Sequence, residues 1–352
     1  IGQPDPALLP AHLFQGMSAD ASSLAYGAEP GDSRFRESLA EWLGREYEIP
    51  VDAEALLVTN GSSNALDMIC TRYTRPGDVV LVEDPTYFIA RRQFTDHGLK
   101  TVAVPMDKDG VDIQSLEKLI KRHKPVFFYT VPTFHNPTGC TLSRERRSLL
   151  IALCKRMDCL IVADEVYQQL YYDVRPPLPL ACLDAEAPVL SIGSFSKILA
   201  PGLRLGWLQG GRKLLQQIEK SALLASGGGL APLTSALVRP LIDNGDLDKH
   251  LDYLKTTYSK RLAVLVENLR IKMGDRIDFI PPTGGFFVWV TWKDKTDTGA
   301  LLPVAIKSGV DFLPGRQFSE SPGQAHAMRL CFAFYDEHQL QQACTRLARL
   351  SG

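Results

Sequence analysis

No apolar run in this chain of 352 residues approaches the roughly 20 that span a bilayer, so no transmembrane helix is expected. Charge of one sign is also missing. Lys and Arg number 39 against 40 Asp and Glu, which leaves no field to favour nucleic acid or an anionic membrane. Seven cysteines (Cys70, Cys140, Cys154, Cys159, Cys182, Cys331 and Cys344) include no Cys-x-x-Cys pair, and their number is odd. Reduced thiols are therefore expected in a reducing compartment, the cytoplasm, with an organelle left open. The seven histidines form no His-x3-His pair, so no metal site is expected. Internal repeats and low-complexity segments are absent. The chain opens on Ile1, so residues before it are expected, and no secretory or transit signal stands in the residues given.

What is present is an ordinary globular composition, 45% hydrophobic and 22% charged, long enough for two domains. Residues 1–31 are rich in Pro, Gly and Ala and read as an extended N-terminal arm. A helix begins near Arg34. Strands at 55–58, 79–82, 102–105, 126–131, 160–163, 189–192 and 203–208 then alternate with helices at 63–74, 113–123 and 142–157. Several of these strands are apolar on both faces, the mark of strands covered by helices on both sides. The pattern predicts a large doubly wound, mostly parallel α/β domain over 32–245. Gly227-Gly228-Gly229 interrupts it. A helix over 247–269 leads into a smaller α+β domain, completing 246–352, with strands at 285–290 and 328–334 and a closing helix at 337–350.

Ligands of open α/β sheets bind beyond the carboxyl ends of strands, and polar residues collect there. Ser194-Phe195-Ser196-Lys197 follows an apolar strand, with Arg204 seven residues on. Read alone, Lys197 fits a strand-end surface lysine as well as a Schiff-base amine with hydroxyls and a guanidinium to hold a phosphate, the combination pyridoxal 5′-phosphate (PLP) needs. Asn60-Gly61-Ser62-Ser63 fits an anion site at a helix start or an ordinary N-cap. Tyr87, after Pro85-Thr86, can stack on a flat ring or simply pack. Asn136-Pro137-Thr138-Gly139 is strong turn chemistry, and the Asn136 amide can also serve a cofactor oxygen. Asp164 follows four apolar residues. A carboxylate at the mouth of a buried strand needs a positive partner, either an arginine or a protonated pyridine nitrogen.

The order and spacing of these segments resemble the class I/II aminotransferases of PLP fold-type I, over nearly the whole chain. Tyr26-Gly27 with Gly31 and Phe35-Arg36, Pro282-x-Gly284-Gly285-Phe286-Phe287, Pro314-Gly315-x-x-Phe318 and Met328-Arg329-Leu330-Cys331-Phe332 add to the likeness. Its flavour is that of the 2-aminoadipate and kynurenine aminotransferases and of the aminotransferase-like half of the MocR regulators. The resemblance implies a mostly parallel sheet of the seven-stranded type and a small α+β domain built from the C-terminus and the N-terminal arm.

The resemblance also implies roles. Lys197 would form the internal aldimine and move the proton between substrate and cofactor. Asp164 would keep the pyridine nitrogen protonated. Tyr167 and Asn136 would donate to the phenolic oxygen, and Tyr87 would stack on the ring. Ser62, Ser63, Ser194 and Arg204 would hold the phosphate, with Tyr26 reaching that of the neighbouring subunit in a homodimer with shared sites. Arg329 would clamp the substrate carboxylate, with Asn136 beside it and Gly2 at the pocket's border. His135 would contact substrate or pack. The implied activity moves an amino group from an L-amino acid to a 2-oxo acid, 2-oxoglutarate among the candidates, by a ping-pong mechanism. Two alternatives share the pocket: a PLP-binding effector domain of a MocR-type regulator, and a PLP lyase or decarboxylase. No second arginine falls in a motif that would serve a dicarboxylic side chain.

Overall fold

The computed structural model describes residues 2–18, 20–319 and 321–351. Its larger sheet has eight strands: β1 (Leu56–Thr59), β2 (Val79–Asp84), β3 (Lys100–Asp107), β4 (Gly110–Val111), β5 (Phe127–Thr130), β6 (Leu160–Asp164), β7 (Val189–Ser194) and β8 (Gly206–Gly210). Their order is β1-β8-β7-β6-β5-β2-β3-β4. The neighbours β3, β2, β5, β6 and β7 pair in parallel, while β8 runs antiparallel to both β7 and β1. The eighth strand beyond the expected seven is β4, two residues folded back on β3.

Strand alternation explains why the sheet is buried on both sides. Along β5, Phe127 and Tyr129 enter one apolar cluster and Phe128 the other. Along β6, Leu160 and Val162 face the first cluster, and Ile161 and Ala163 the second. Helices cover both faces and begin on side-chain caps where the sequence supplies them. Asp32 accepts from the Phe35 N–H to open Ser33–Tyr47, and Ser143 from the Arg146 N–H to open Arg144–Met157. Phe35, Leu39, Trp42 and Leu43 form the buried stripe of the first of these helices.

A second, antiparallel sheet holds β9 (Ile277–Phe279), β10 (Phe287–Trp292), β11 (Leu313–Pro314) and β12 (Ala327–Cys331), ordered β11-β12-β10-β9. The helix Asp246–Met273 runs about 42 Å at 1.5 Å per residue and packs along the closing helix Glu337–Ala348. Arg261 on the long helix bonds Asp5 at 2.8 Å, which fixes the first residues of the arm. The arm is not simply extended: short 3₁₀ turns at Pro6–Leu8, Ala11–Phe14 and Ala21–Leu24 shape it, and Leu8 is buried.

Several elements differ from the sequence reading. β8 starts at Gly206 because Pro201–Leu203 forms a 3₁₀ turn, and β12 stops at Cys331. The helices Phe88–Asp96, Arg212–Glu219, Pro232–Asp243 and Thr298–Lys307 were not expected; Pro240 and Pro303 lie inside two of them and mask the helical period.

Candidate active site

Sheet register brings distant segments together. Thr59, the last residue of β1, and Ser194, the last of β7, both lie opposite Gly206 on β8. The segments that follow, Asn60–Ser63 and Phe195–Lys197, therefore leave the same edge of the sheet. Asp164 ends β6 at that edge, one strand over from β7.

A cavity of about 340 Å³ opens there. It is lined by Ser62, Ser63, Tyr87, Asn136, Asp164, Tyr167, Lys197, Arg204, Arg329 and Gly2, joined by Gln3, Phe88, Ile89, Ser196 and Leu313. Two residues from the sequence reading are not in that lining. Ser194 is buried at the strand end, where its Oγ accepts from the Ser196 N–H at 3.1 Å, and Ser196 rather than Ser194 reaches the cavity. Tyr26 stands on the surface at 88% exposure.

The donors at one end suit a phosphate. The helix Ser62–Tyr73 starts on Gly61 with no side-chain cap, so its first N–H groups remain free for an anion and the ordinary N-cap reading falls. Gly61 has φ +87°, and a Cβ there would lie 2.8 Å from Arg204 Nη2. Only glycine lets the guanidinium close over that helix start. Among the described residues Arg204 makes long bonds, at 3.2–3.4 Å, to Pro201 O, Ser196 Oγ and Asn60 O.

In the middle sit Asp164 and Lys197. Asp164 Oδ2 accepts from the Tyr129 phenol at 2.8 Å, while Oδ1 is buried with no hydrogen-bond partner among the described residues. Burial raises the carboxyl above its usual range, and the Tyr129 bond opposes this. No arginine bonds Asp164 among the described residues; the buried Arg147 pairs with Glu165 at 3.4 Å instead. Lys197 Nζ donates to Gly2 O at 3.1 Å. Burial lowers its pKa, against the pull of Asp164. Tyr87 caps the helix Phe88–Asp96, and burial pushes its phenol up to about 12.

At the other end Arg329 Nη1 donates to Asn136 Oδ1 at 2.7 Å. The guanidinium lies 4.0 Å from the centroid of the Phe287 ring, and Nε has no hydrogen-bond partner among the described residues. Tyr167 meets Phe286 and Phe287 edge-on at 5.4 and 5.9 Å. His135 packs rather than lining the cavity: it is fully buried, with Nε2 3.1 Å from Glu83 Oε2 and Nδ1 accepting from the Thr138 N–H at 3.2 Å. Tyr129 was missed in the sequence. Its signal is a hydroxyl set in the apolar strand Phe127-Phe128-Tyr129, on the strand next to the one that ends in Asp164.

An unpartnered buried carboxylate oxygen, a buried amine and a phosphate cradle around one cavity fit pyridoxal phosphate: fold and site define a cofactor-binding α/β enzyme. The family model of aminotransferase class I and II matches residues 5–347, and the chain belongs to that family. The aromatic-amino-acid aminotransferase 1 of Thermococcus litoralis is 32% identical over 99% of this chain and 86% of its own length. An uncharacterized HTH-type transcriptional regulator of Bacillus subtilis is 30% identical over 89% of this chain, which spans 65% of the regulator. The crystal structure of Pyrococcus horikoshii kynurenine aminotransferase in complex with PMP superposes with a TM-score of 0.91 at 33% identity, covering 99% of this chain and 89% of that one. The protein is a PLP-dependent aminotransferase of fold-type I. Among the described residues no helix is long and apolar enough to cross a membrane.

Proposed function

We propose that this cavity moves an amino group from an L-amino acid to a 2-oxo acid with Lys197 as the residue that binds the cofactor and carries the proton. The observation behind this is one cavity that holds both a buried lysine amine and a buried carboxylate with an oxygen that has no hydrogen-bond partner among the described residues. Bound there, pyridoxal phosphate supplies an aldehyde to capture the amino group and a ring that takes up the electron pair of the broken Cα–H bond.

The chain's own residues do the rest. Lys197 Nζ, its pKa lowered by burial, reaches the neutral amine more readily than a surface lysine, so it can take the proton from the substrate Cα and return it. Asp164 would accept from the protonated ring nitrogen, and Tyr129 orients that carboxylate. Ser62, Ser63, Ser196 and Arg204, all in the lining, would hold the phosphate, with Ser194 behind them accepting from the Ser196 N–H. Tyr87 would lie along the ring, and Tyr167 and Asn136 would donate to its oxygen. Arg329, whose Nε is free, receives the substrate carboxylate beside Asn136 and Gly2.

The exposure of Tyr26 supports a homodimer in which it reaches the phosphate of the other subunit's site. Seven free thiols support a reducing, cytoplasmic setting. We divide the chain into an arm over 1–31, the large domain over 32–245, and the linking helix with the small domain over 246–352.

Borohydride treatment of the holoenzyme should leave a pyridoxyl group on the peptide carrying Lys197, and Lys197→Ala should abolish turnover. A variant that transaminates at the parent's rate ends this reading. A panel of amino acids, followed by cofactor absorbance, separates amino transfer from elimination, decarboxylation and simple effector binding.

A further inference from the structure

The Arg329 guanidinium is only as well placed as the strand beneath it. It rests on the ring of Phe287, which opens β10, and β10 pairs with β12 so that Phe287 lies opposite Cys331 and Trp289 opposite Arg329. The residues leading into β10 are pinned to the loop that follows β6. The Gly285 N–H donates to Leu170 O at 2.9 Å and the Tyr172 N–H to Thr283 O at 3.1 Å, with a Tyr171–Gly284 bridge between them. The Tyr172 phenol adds a bond to the Gly285 carbonyl. Its ring meets Phe332, the residue after β12, at 6.1 Å. The fully buried Phe134 fills the other side: a Cβ on Gly284 would lie 2.4 Å from its ring, and one on Gly285 2.7 Å from its Cβ.

We propose that Tyr172 is a positioning residue for the carboxylate clamp. It touches the segment just before Phe287 and the segment just after Arg329, so its O–H fixes the height of the Phe287 ring and hence where the guanidinium waits. The inference rests on reading Arg329 as the clamp. A carboxylate is held alike before and during proton transfer, so loosening its clamp removes uniform binding: KM rises and kcat does not move.

The test uses the holoenzyme and Tyr172→Phe, which keeps the ring. KM for both the amino acid and the 2-oxo acid should rise roughly five- to twentyfold. The inhibition constant of 3-phenylpropanoate, a carboxylate with no amine to react, should rise in parallel. The cofactor dissociation constant and kcat should stay within about twofold of the parent. Unchanged KM, or a cofactor constant that rises as much as KM, overturns the proposal, since the latter marks a merely structural role. If Tyr172→Phe does not fold, Phe332→Leu should raise both KM values in the same selective way, and a flat result there also overturns it. Should the parent show no turnover, binding of 3-phenylpropanoate followed by cofactor absorbance still decides. Arg329→Lys serves as the reference: if it leaves carboxylate binding intact, the clamp reading fails rather than the role of Tyr172.

Discussion

The Tyr129 phenol donates a 2.8 Å hydrogen bond to Oδ2 of Asp164, and the other oxygen of that carboxylate is buried and unpartnered. One side of the group is thus fixed by the protein and the other is left for a ligand. Burial raises the Asp164 carboxyl and the phenol counters it. Tyr129→Phe should leave a less ionised, less oriented partner for the ring nitrogen. A hydrogen bond to a charged group contributes about 1.5–3 kcal/mol, so the cofactor dissociation constant should rise about tenfold or more, and further in Asp164→Asn. Equilibrium dialysis of the apo-protein against pyridoxal phosphate checks this; an unchanged constant in Tyr129→Phe would leave the phenol a packing role only.

Gly61→Ala tests the phosphate end. The added methyl meets Arg204 Nη2 at 2.8 Å and must sit at φ +87°. The backbone strain should destabilise the protein by about 1–3 kcal/mol. Displacement of the guanidinium should weaken cofactor binding by about tenfold. Fluorescence titration with pyridoxal phosphate and a melting curve read the two effects separately. A variant that melts lower but binds the cofactor like the parent would show that Arg204 does not need this approach.

Arg147 is the buried charge that the catalytic reading does not use. It donates to Leu142 O, Leu178 O, Pro132 O and Thr133 Oγ1 at 2.7–3.0 Å and faces Glu165 Oε1 at 3.4 Å. It ties the chain on both sides of the Asn136 loop to the residue after Asp164. Arg147→Met keeps the volume but strands Glu165 and three carbonyls, which should cost about 3–5 kcal/mol. A fall in Tm of about 4–7 °C is expected by calorimetry, with Lys197 still labelled by borohydride in the folded fraction. A fall of only a degree or two would mean that water or another group takes over the guanidinium's bonds.

The chain order of the parallel strands and the residues just after them were legible because strands buried on both faces carry an unbroken apolar signal, and a polar residue at their ends stands out. Lys197, Asp164 and Asn136 were visible for that reason. Helices holding Pro240 and Pro303 were not, because a proline inside a helix reads as a stop. Tyr129 was invisible because its meaning depends on the register of β5 against β6, which opposes Tyr129 to Val162 two residues short of Asp164. The places of Ser194 and Ser196 depend on the turn after β7, where the first hydroxyl accepts from the backbone and the second faces the cavity. The pinning of residues 283–285 by Tyr172 is a long-range contact that no local pattern encodes.

His250 gives the acid side of the stability profile a titrating group outside the cavity lining. It lies on the helix Asp246–Met273, its Nε2 is buried without a partner, and burial, with a smaller push from His12, lowers its pKa from 6.5 to about 4. Between those two values the unfolded chain binds a proton that the folded chain does not. Stability therefore rises with pH across that window and is lost as pH falls from 6.5 toward 4. At pH 5 the loss from this residue amounts to about 2 kcal/mol. His250→Leu removes the proton-binding difference and the orphaned nitrogen together. Urea unfolding should show the variant gaining on the parent by about 2 kcal/mol between pH 7.5 and pH 5, with the gap closing again above pH 6.5. Parallel pH profiles for the two proteins would mean that His250 takes up its proton in the folded state as easily as in the unfolded chain.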